Sequence, residues 1–269
     1  MRISATLLAL SATLGLLALA PTAQAASPAP RAPLPPAATA TTGPVCWFGA
    51  CYDYVSGRQK TDAAGASIRM LQASPEVKPG DTQSHSLQEL ALQSADQKST
   101  VEIGWTVDLG LNGDLRPHLF VYHWVDGAES CYNGCGFVQV SRTVKPGMAV
   151  RTGAAARFAI QNFGGDWWLF YNSQPVGYFP GSLWNGSYTR AQTITAFGEV
   201  AHADGATCED MGNGLTGAAR GSSWIDEFQL ADSTDDPQLT VSATSPGLYD
   251  AGRGTATSFH LGGAGSGAC

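Results

Sequence analysis

The stretch TVEIGWTVD, residues 100–108, alternates between two kinds of side chain with a period of two. Its apolar positions are Val101, Ile103, Trp105 and Val107. Thr100, Glu102, Gly104 and Thr106 fall on the opposite face. This alternation is typical of a β-strand with one face against a core, because the apolar residues of an amphipathic helix recur every three to four positions. The stretch therefore predicts a strand whose glutamate points away from the core between two sheets.

The same short period continues on both sides of this strand. In residues 118–124 it places Phe120, Tyr122 and Trp124 on one face. Residues 86–89 could begin a helix with a capping box, but Leu90 and Leu92 alternate, and we predict a strand here too. Further runs of β type are Gly136–Ser141, Ala155–Gln161, Trp167–Asn172, Val176–Phe179, Gln192–His202, Ser223–Leu230, Gln238–Ser242 and Thr257–Leu261. Many short strands separated by turn residues predict an all-β fold, an antiparallel sandwich or barrel.

Composition and charge limit the possible partners and the compartment. The chain of 269 residues has 15 basic and 22 acidic residues, a formal net charge of −7 and no basic cluster, so we expect no nucleic-acid partner. Residues 1–25 combine a charged start, a short apolar run and a small-residue cleavage site, which predicts a secretory signal peptide. The Pro-rich residues 26–44 predict a leader or linker, and residues 45–269 a single domain. We expect a secreted monomer without a membrane partner once the signal is removed.

The six cysteines are an even number, which in an exported protein indicates disulfides. The expected pairs are Cys46–Cys51 and Cys131–Cys135, which are close in sequence, and then Cys208–Cys269. A zinc site at Cys131 and Cys135 is the alternative, but structural zinc needs four ligands, and no second pair or histidine couple has the required spacing. We therefore expect three disulfides, no thiol left as a nucleophile, no metal ion and no cofactor.

Two glutamates are the candidate catalytic residues. The sequence has no nucleophile-elbow motif, no zinc-protease motif, and no phosphate- or dinucleotide-binding glycine loop. Glu102 and Glu199 occur in the middle of predicted strands, where glutamate is usually depleted. Two carboxyl groups facing one groove can act as a catalytic pair, with one protonated and the other ionised. From spacing alone, two unrelated solvent-facing glutamates are the simpler interpretation.

These glutamates lie in segments that resemble, in order, the motifs of the neprosin family of secreted glutamic endopeptidases. The similar segments are VEIGWTV (101–107), LFVYHWVDG (119–127), CYNGCGFVQVS (131–141), DWWLFYNSQPVGYFPGSLW (166–184), AFGEVAH (196–202), MGNG (211–214) and FHLGGAG (259–265). The resemblance covers about residues 85–265.

The resemblance implies an antiparallel β-sandwich of jelly-roll or lectin-like type, with a cleft on one concave sheet. It implies that Glu102 and Glu199 form a catalytic pair that activates water without a metal ion. The substrates implied are peptides or proteins, cleaved after proline at acid pH. Aromatic candidates for the cleft wall, where a proline ring could pack, are Tyr122, Trp124, Tyr178 and Trp184. Gln139 could donate a hydrogen bond in the cleft.

Two other classes of protein fit the same residues. A jelly-roll glycoside hydrolase would also place two glutamates on an aromatic groove. A lectin-like sandwich without catalytic activity would bind sugars through the aromatic residues, and it predicts that Glu102 and Glu199 lie far apart.

Overall fold

The computed structural model describes residues 43–47, 50–203 and 207–269. The expected signal peptide, and the expected leader except for residues 43 and 44, lie outside the described residues. The described strands are β1 Val45–Trp47, β2 Ala50–Ala63, β3 Gly65–Leu71, β4 His85–Gln93, β5 Thr100–Asp108, β6 His118–Val125, β7 Ala128–Glu129, β8 Val138–Gln139, β9 Ala155–Phe163, β10 Asp166–Tyr171, β11 Gln174–Phe179, β12 Ala191–His202, β13 Ser223–Ala231, β14 Thr240–Ala243, β15 Asp250–Thr255 and β16 Ser258–Gly262. A single α-helical turn, α1 Leu109–Asn112, and a 3₁₀ turn, Gly181–Trp184, are the helical elements of this part of the chain.

The strands form two antiparallel eight-stranded sheets packed face to face. The first sheet has the order β1-β2-β12-β4-β5-β6-β7, with β14 also paired to β2. The second sheet has the order β15-β16-β13-β3-β9-β10-β11-β8. The expected all-β antiparallel sandwich is confirmed.

The core lies between the two sheets and follows the alternation read from the sequence. Ile103 and Trp105 of β5 point into it, together with Phe158 of β9 and Leu169 of β10. The Trp105 indole N–H donates to the backbone oxygen of Leu71 at the end of β3, so the two sheets are joined by a hydrogen bond as well as by apolar contact.

The first sheet is also buried on its other side. Tyr54, Phe120, Tyr122 and Phe197 face away from the core and still form a buried cluster. One of the two sheets curls into a half-barrel, and these residues lie on the side of the first sheet that faces away from the core. We call this surface the concave face.

Several strand predictions are confirmed, and others needed correction. The segment around residues 86–89 is the strand β4 and not a helix, because its side chains are buried on both faces of the sheet. The strand expected over 136–141 is reduced to β8, whose residues are exposed at a sheet edge. The long strand β2 was not predicted, because its sequence ACYDYVSGRQKTDA mixes polar and apolar residues on both faces.

All three expected disulfides are present, namely Cys46–Cys51, Cys131–Cys135 and Cys208–Cys269. The described residues contain no free cysteine. Among them no helix is long and apolar enough to cross a membrane.

Replacing Cys208 and Cys269 together by Ser should destabilise the fold more than replacing Cys46 and Cys51. The two bridges close loops with sequence separations of 61 and 5 residues. On the chain-entropy model they contribute about 4 and about 2 kcal/mol, respectively. Urea unfolding of the two double variants measures the difference, and equal losses would contradict a loop-length origin.

His123 gives the core an acid-sensitive element. Its ring lies on the core side of β6, 4.5 Å from the ring centroid of Phe179 and 5.7 Å from that of Trp184. Burial lowers the pKa of His123 from 6.5 to about 4. Between pH 6.5 and pH 4, His123 is protonated in the unfolded chain and largely neutral in the folded chain. The free energy of unfolding therefore falls as the pH falls from 6.5 towards 4.

The variant His123→Phe should therefore lose less stability on acidification than the wild type. The difference between pH 7 and pH 4 should be smaller by on the order of 3 kcal/mol, since the side chain no longer binds a proton in the unfolded state. Urea unfolding at the two pH values measures it. An equal acid loss in both proteins would show that His123 does not carry the effect.

Candidate active site

Glu102 lies on the concave face in the middle of β5. Its neighbours Val101 and Ile103 point into the core, so the alternation of the strand turns Glu102 to the other side. It is paired with Ala91 on β4 and with Tyr122 on β6, and only 1% of its surface is exposed. The indole N–H of Trp124 donates a hydrogen bond to Oε1 of Glu102 at 3.0 Å.

Glu199 lies on the same concave face, on β12. It is paired with Leu87 on β4 and with Tyr54 on β2, and it is also 1% exposed. Oε1 of Glu199 lies 2.9 Å from Nε2 of His85, a buried histidine at the start of β4. Glu199 is therefore hydrogen-bonded to an imidazole, whereas Glu102 accepts a hydrogen bond from an indole N–H.

The register of strand pairing fixes the positions of Glu102 and Glu199 relative to each other. One strand, β4, separates β5 from β12, and the β4 partners of Glu102 and Glu199 are Ala91 and Leu87, four residues apart. Between those partners Glu89 faces the same side, fully buried. Neither Glu89 nor His85 is among the site residues predicted from the sequence. His85, Leu87, Glu89 and Ala91 are each two positions apart, and this alternation predicts that their side chains lie on one face of β4.

Aromatic rings surround the carboxyl groups. Tyr122 and Trp124, two of the predicted cleft-wall residues, belong to the concave cluster. Tyr132 packs against Tyr122 and Phe120 with ring centroids 5.0 and 5.6 Å apart. Because Tyr132 lies inside the Cys131–Cys135 loop, that disulfide restrains a cleft ring that sequence reasoning did not find.

The other three candidates do not lie on the concave face, and those predictions are wrong. Trp184 is buried in the core between the sheets, where its indole N–H donates to the backbone oxygen of Trp124. Tyr178 stacks on Trp168 on the outer face of the second sheet. Gln139 is exposed on β8 of that sheet and donates to the backbone oxygen of Ser141. Alternation gives the face of a strand but not the sheet to which the strand belongs, which explains the errors at Tyr178 and Gln139. Trp184 lies in the 3₁₀ turn that follows β11, outside any strand.

One group of metal-type ligands occurs among the described residues, formed by Cys208, Glu209 and Cys269. Its two sulfur atoms are joined in a disulfide, so they are not thiolate ligands.

Solved structures with a similar arrangement of strands include peptidases and lectins. Scytalido-glutamic peptidase with a transition-state analogue inhibitor is 9% identical, with a TM-score of 0.48 over 78% of this chain and 97% of that chain. A member of the eqolisin family of peptidases in complex with the tripeptide Ala-Ile-His is 9% identical, with a TM-score of 0.38 over 78% and 96%. Chicken galectin 2 is 8% identical, with a TM-score of 0.32 over 55% and 98%. Likenesses this weak carry no information about activity.

The sequence itself gives a more specific result. A family model described as Neprosin matches residues 82–264, a range that contains Glu102, Glu199 and all of the concave strands from β4 to β6. The chain belongs to the neprosin family. This membership supports a peptidase of the glutamic type.

Gly104 should be the residue of the site that tolerates a side chain least. A Cβ atom added there would lie 2.6 Å from Cβ of Glu89 and 2.9 Å from its Cα, too close for any carbon pair. We expect Gly104→Ala to cost about 2 kcal/mol or more of folding free energy, as overpacked sites do. Gly247→Ala is the matched control, since nothing lies within 4 Å of an added Cβ there, and it should change stability by about 0.5 kcal/mol at most. Equal effects in urea unfolding would contradict the close approach.

Proposed function

We propose that the protein is a secreted glutamic endopeptidase that cleaves peptide bonds after proline at acid pH. In this proposal Glu102 and Glu199 activate the water molecule that attacks the peptide bond. The observation that carries the proposal is the pair of buried glutamates on one concave face, each held by a different kind of donor. In this proposal residues 1–25 direct export, and residues 45–269 form the catalytic domain. Three disulfides agree with an oxidising destination.

The contacts of Glu199 suit the general base. When Nε2 of His85 carries its proton, it donates to Oε1 of Glu199, which then behaves as an acceptor, as an ionised carboxylate does. As general base, an ionised carboxylate takes a proton from water while the water oxygen attacks the scissile carbonyl carbon.

The surroundings of Glu102 suit the general acid. It lies among buried aromatic residues, and the Trp124 indole N–H donates to it. Burial among aromatic rings opposes the charged form of a carboxyl group, and the general acid must enter the reaction protonated. A protonated Glu102 can donate to the scissile carbonyl oxygen and stabilise the negative charge that develops there.

Substrate preference follows from the same surface. Buried Tyr122 and Trp124 and the partly exposed Tyr132 surround Glu102 with aromatic rings, and apolar rings such as that of proline pack well on aromatic surfaces. The requirement for a protonated acid places activity on the acid side of neutrality, with loss as the pH rises and Glu102 ionises.

The test compares the wild type with Glu102→Gln and Glu199→Gln in the digestion of a proline-containing protein mixture at acid pH. Each substitution keeps the size of the side chain and removes its acid–base function, so we expect cleavage to fall by about 10²–10⁴-fold. New chain ends, identified by mass spectrometry, should follow proline in the wild-type digest.

Glu129→Gln is the matched control, because Glu129 is exposed on β7 of the same sheet. It should cleave as the wild type does, and circular dichroism should show that all three variants are folded. Cleavage that persists in either site variant would overturn the catalytic pair. Cleavage at other residues would remove only the preference for proline, and hydrolysis of xylan without hydrolysis of peptides would favour a glycoside hydrolase.

A further inference from the structure

Arg58 is a cation on the concave face of the first sheet. On its strand, β2, Val55 points into the core and Tyr54 belongs to the concave cluster, so alternation turns Arg58 to the concave side. Its partners on the neighbouring strands are Thr195 of β12 and Thr240 of β14. The concave face therefore carries a guanidinium group as well as carboxyl groups.

One row of paired residues joins Arg58 to Glu102. The row runs from Glu102 on β5 through Ala91 on β4 and Thr195 on β12 to Arg58 on β2. Neighbouring strands are about 4.8 Å apart, so the backbones at the two ends of the row are about 14 Å apart. Both residues between them are small. An extended peptide rises about 3.3 Å per residue, so about four residues would span the row.

The guanidinium group of Arg58 is bonded to a neutral side chain. Nη2 of Arg58 donates to Oε1 of Gln97, an exposed residue in the turn between β4 and β5. Because β12 lies between β2 and β4, this bond directs the guanidinium across β12. Burial lowers the pKa of Arg58, and no carboxylate of the described residues raises it. A cation that burial disfavours is normally paired with an anion, and Gln97 supplies none.

Three polar atoms in this part of the concave face are buried and have no hydrogen-bond partner among the residues that the structure describes. They are Nη1 of Arg58, the hydroxyl oxygen of Thr195 and Oε1 of Gln93. Thr195 is 1% exposed and Gln93 3% exposed. Gln93 pairs with Thr193, two residues from Thr195, so the two side chains are diagonal neighbours on one face. Buried polar atoms without partners cost free energy, so a donor, a hydroxyl and an acceptor grouped in this way indicate a ligand that bonds to them.

The charged side chains around this group can be assigned as well. Lys60 of β2, and Asp96 and Lys98 of the turn that contains Gln97, are exposed. The carboxylate of Asp96 accepts hydrogen bonds from within its own turn. Glu102 stands at the other end of the row. An anion that arrives from solvent can therefore reach the guanidinium by replacing the exposed Gln97.

We infer that Arg58 is a specificity-determining residue that binds a carboxylate of the peptide substrate, while Thr195 and Gln93 bond to the substrate backbone beside it. This inference rests on the proposed function, because it assigns part of the substrate of that site. The planar guanidinium can donate two parallel hydrogen bonds to a carboxylate, a match that an amide such as Gln97 does not offer. The length of the row places the recognised carboxylate within about four residues of the bond that is cut.

The test measures kcat/KM on peptides that are amidated at the C-terminus and contain one proline. Each pair of peptides carries Glu or Gln at one position, up to about four residues to either side of the proline. The assay is run at about pH 5.5, where a glutamate side chain with its ordinary pKa of about 4.3 is ionised. In at least one pair the wild type should prefer Glu by about tenfold, because hydrogen bonds to a charged group are strong.

Arg58→Gln should lose this preference for the acidic peptide. The preference compares two peptides in one enzyme, so a general loss of activity cancels. Arg58→Lys keeps the charge without the planar fork, and its preference should be weaker than that of the wild type, which also tests the role if Arg58→Gln does not fold. Lys60→Gln is the matched control. It removes an exposed cation from the same face of the same strand and should keep the wild-type preference.

The outcomes separate this inference from the proposed function. A wild type that cleaves peptides without any preference for Glu would overturn the role of Arg58 and leave the catalytic pair standing. A preference that survives in Arg58→Gln, or disappears equally in Lys60→Gln, would overturn it as well. If the wild type cleaves no peptide, the proposed function fails and this role fails with it. A preference for a free C-terminal carboxylate over the amide, lost in Arg58→Gln, would support the role and assign the recognised carboxylate to the chain end.

Discussion

The backbone hydrogen bonds that hold β4 between β5 and β12 are the constraint on which the site depends. They set Glu89 opposite Gly104 and Phe197, and they fix the positions of Glu102 and Glu199 relative to β4. A slip of β4 by one residue would turn Glu89 into the core and would place the side chains of Leu90 and Leu92 on the concave face. Because both faces of β4 are buried, such a slip has a large apolar penalty, and the register is strongly specified.

The sequence predicts much of this arrangement because its strands alternate so regularly. The face of Glu102 follows from Val101 and Ile103 alone, and the two glutamates are found by their unusual positions within strands. Alternation does not reveal which strands are neighbours. Pairing across long stretches of chain decides that β12 inserts between β2 and β4, and that the strand carrying Tyr178 joins the other sheet. Glu89 was read only as part of a possible helix cap, since its partners on the neighbouring strands are about 15 and 110 residues away in sequence.

The polar groups buried on the concave face lower the stability of the fold and serve the proposed chemistry. Burying three carboxyl groups and a histidine in one sheet opposes folding, whereas the same positions filled by apolar residues would extend the core. The fold compensates through the large apolar core on the opposite side of the same strands and through its disulfides. His123 adds a cost on acidification, so a protein that acts at acid pH would do so with part of its stability already lost.

The bridge between Cys208 and the last residue, Cys269, has a consequence for a protein that cuts polypeptides. Pro237 and Pro246 both lie within the loop that the bridge closes. If one molecule cut another after either residue, the two pieces would stay covalently joined, and β15 and β16 could not be released as a free fragment. A single cleavage between these cysteines thus leaves the chain in one covalent piece, which protects the protein against self-digestion.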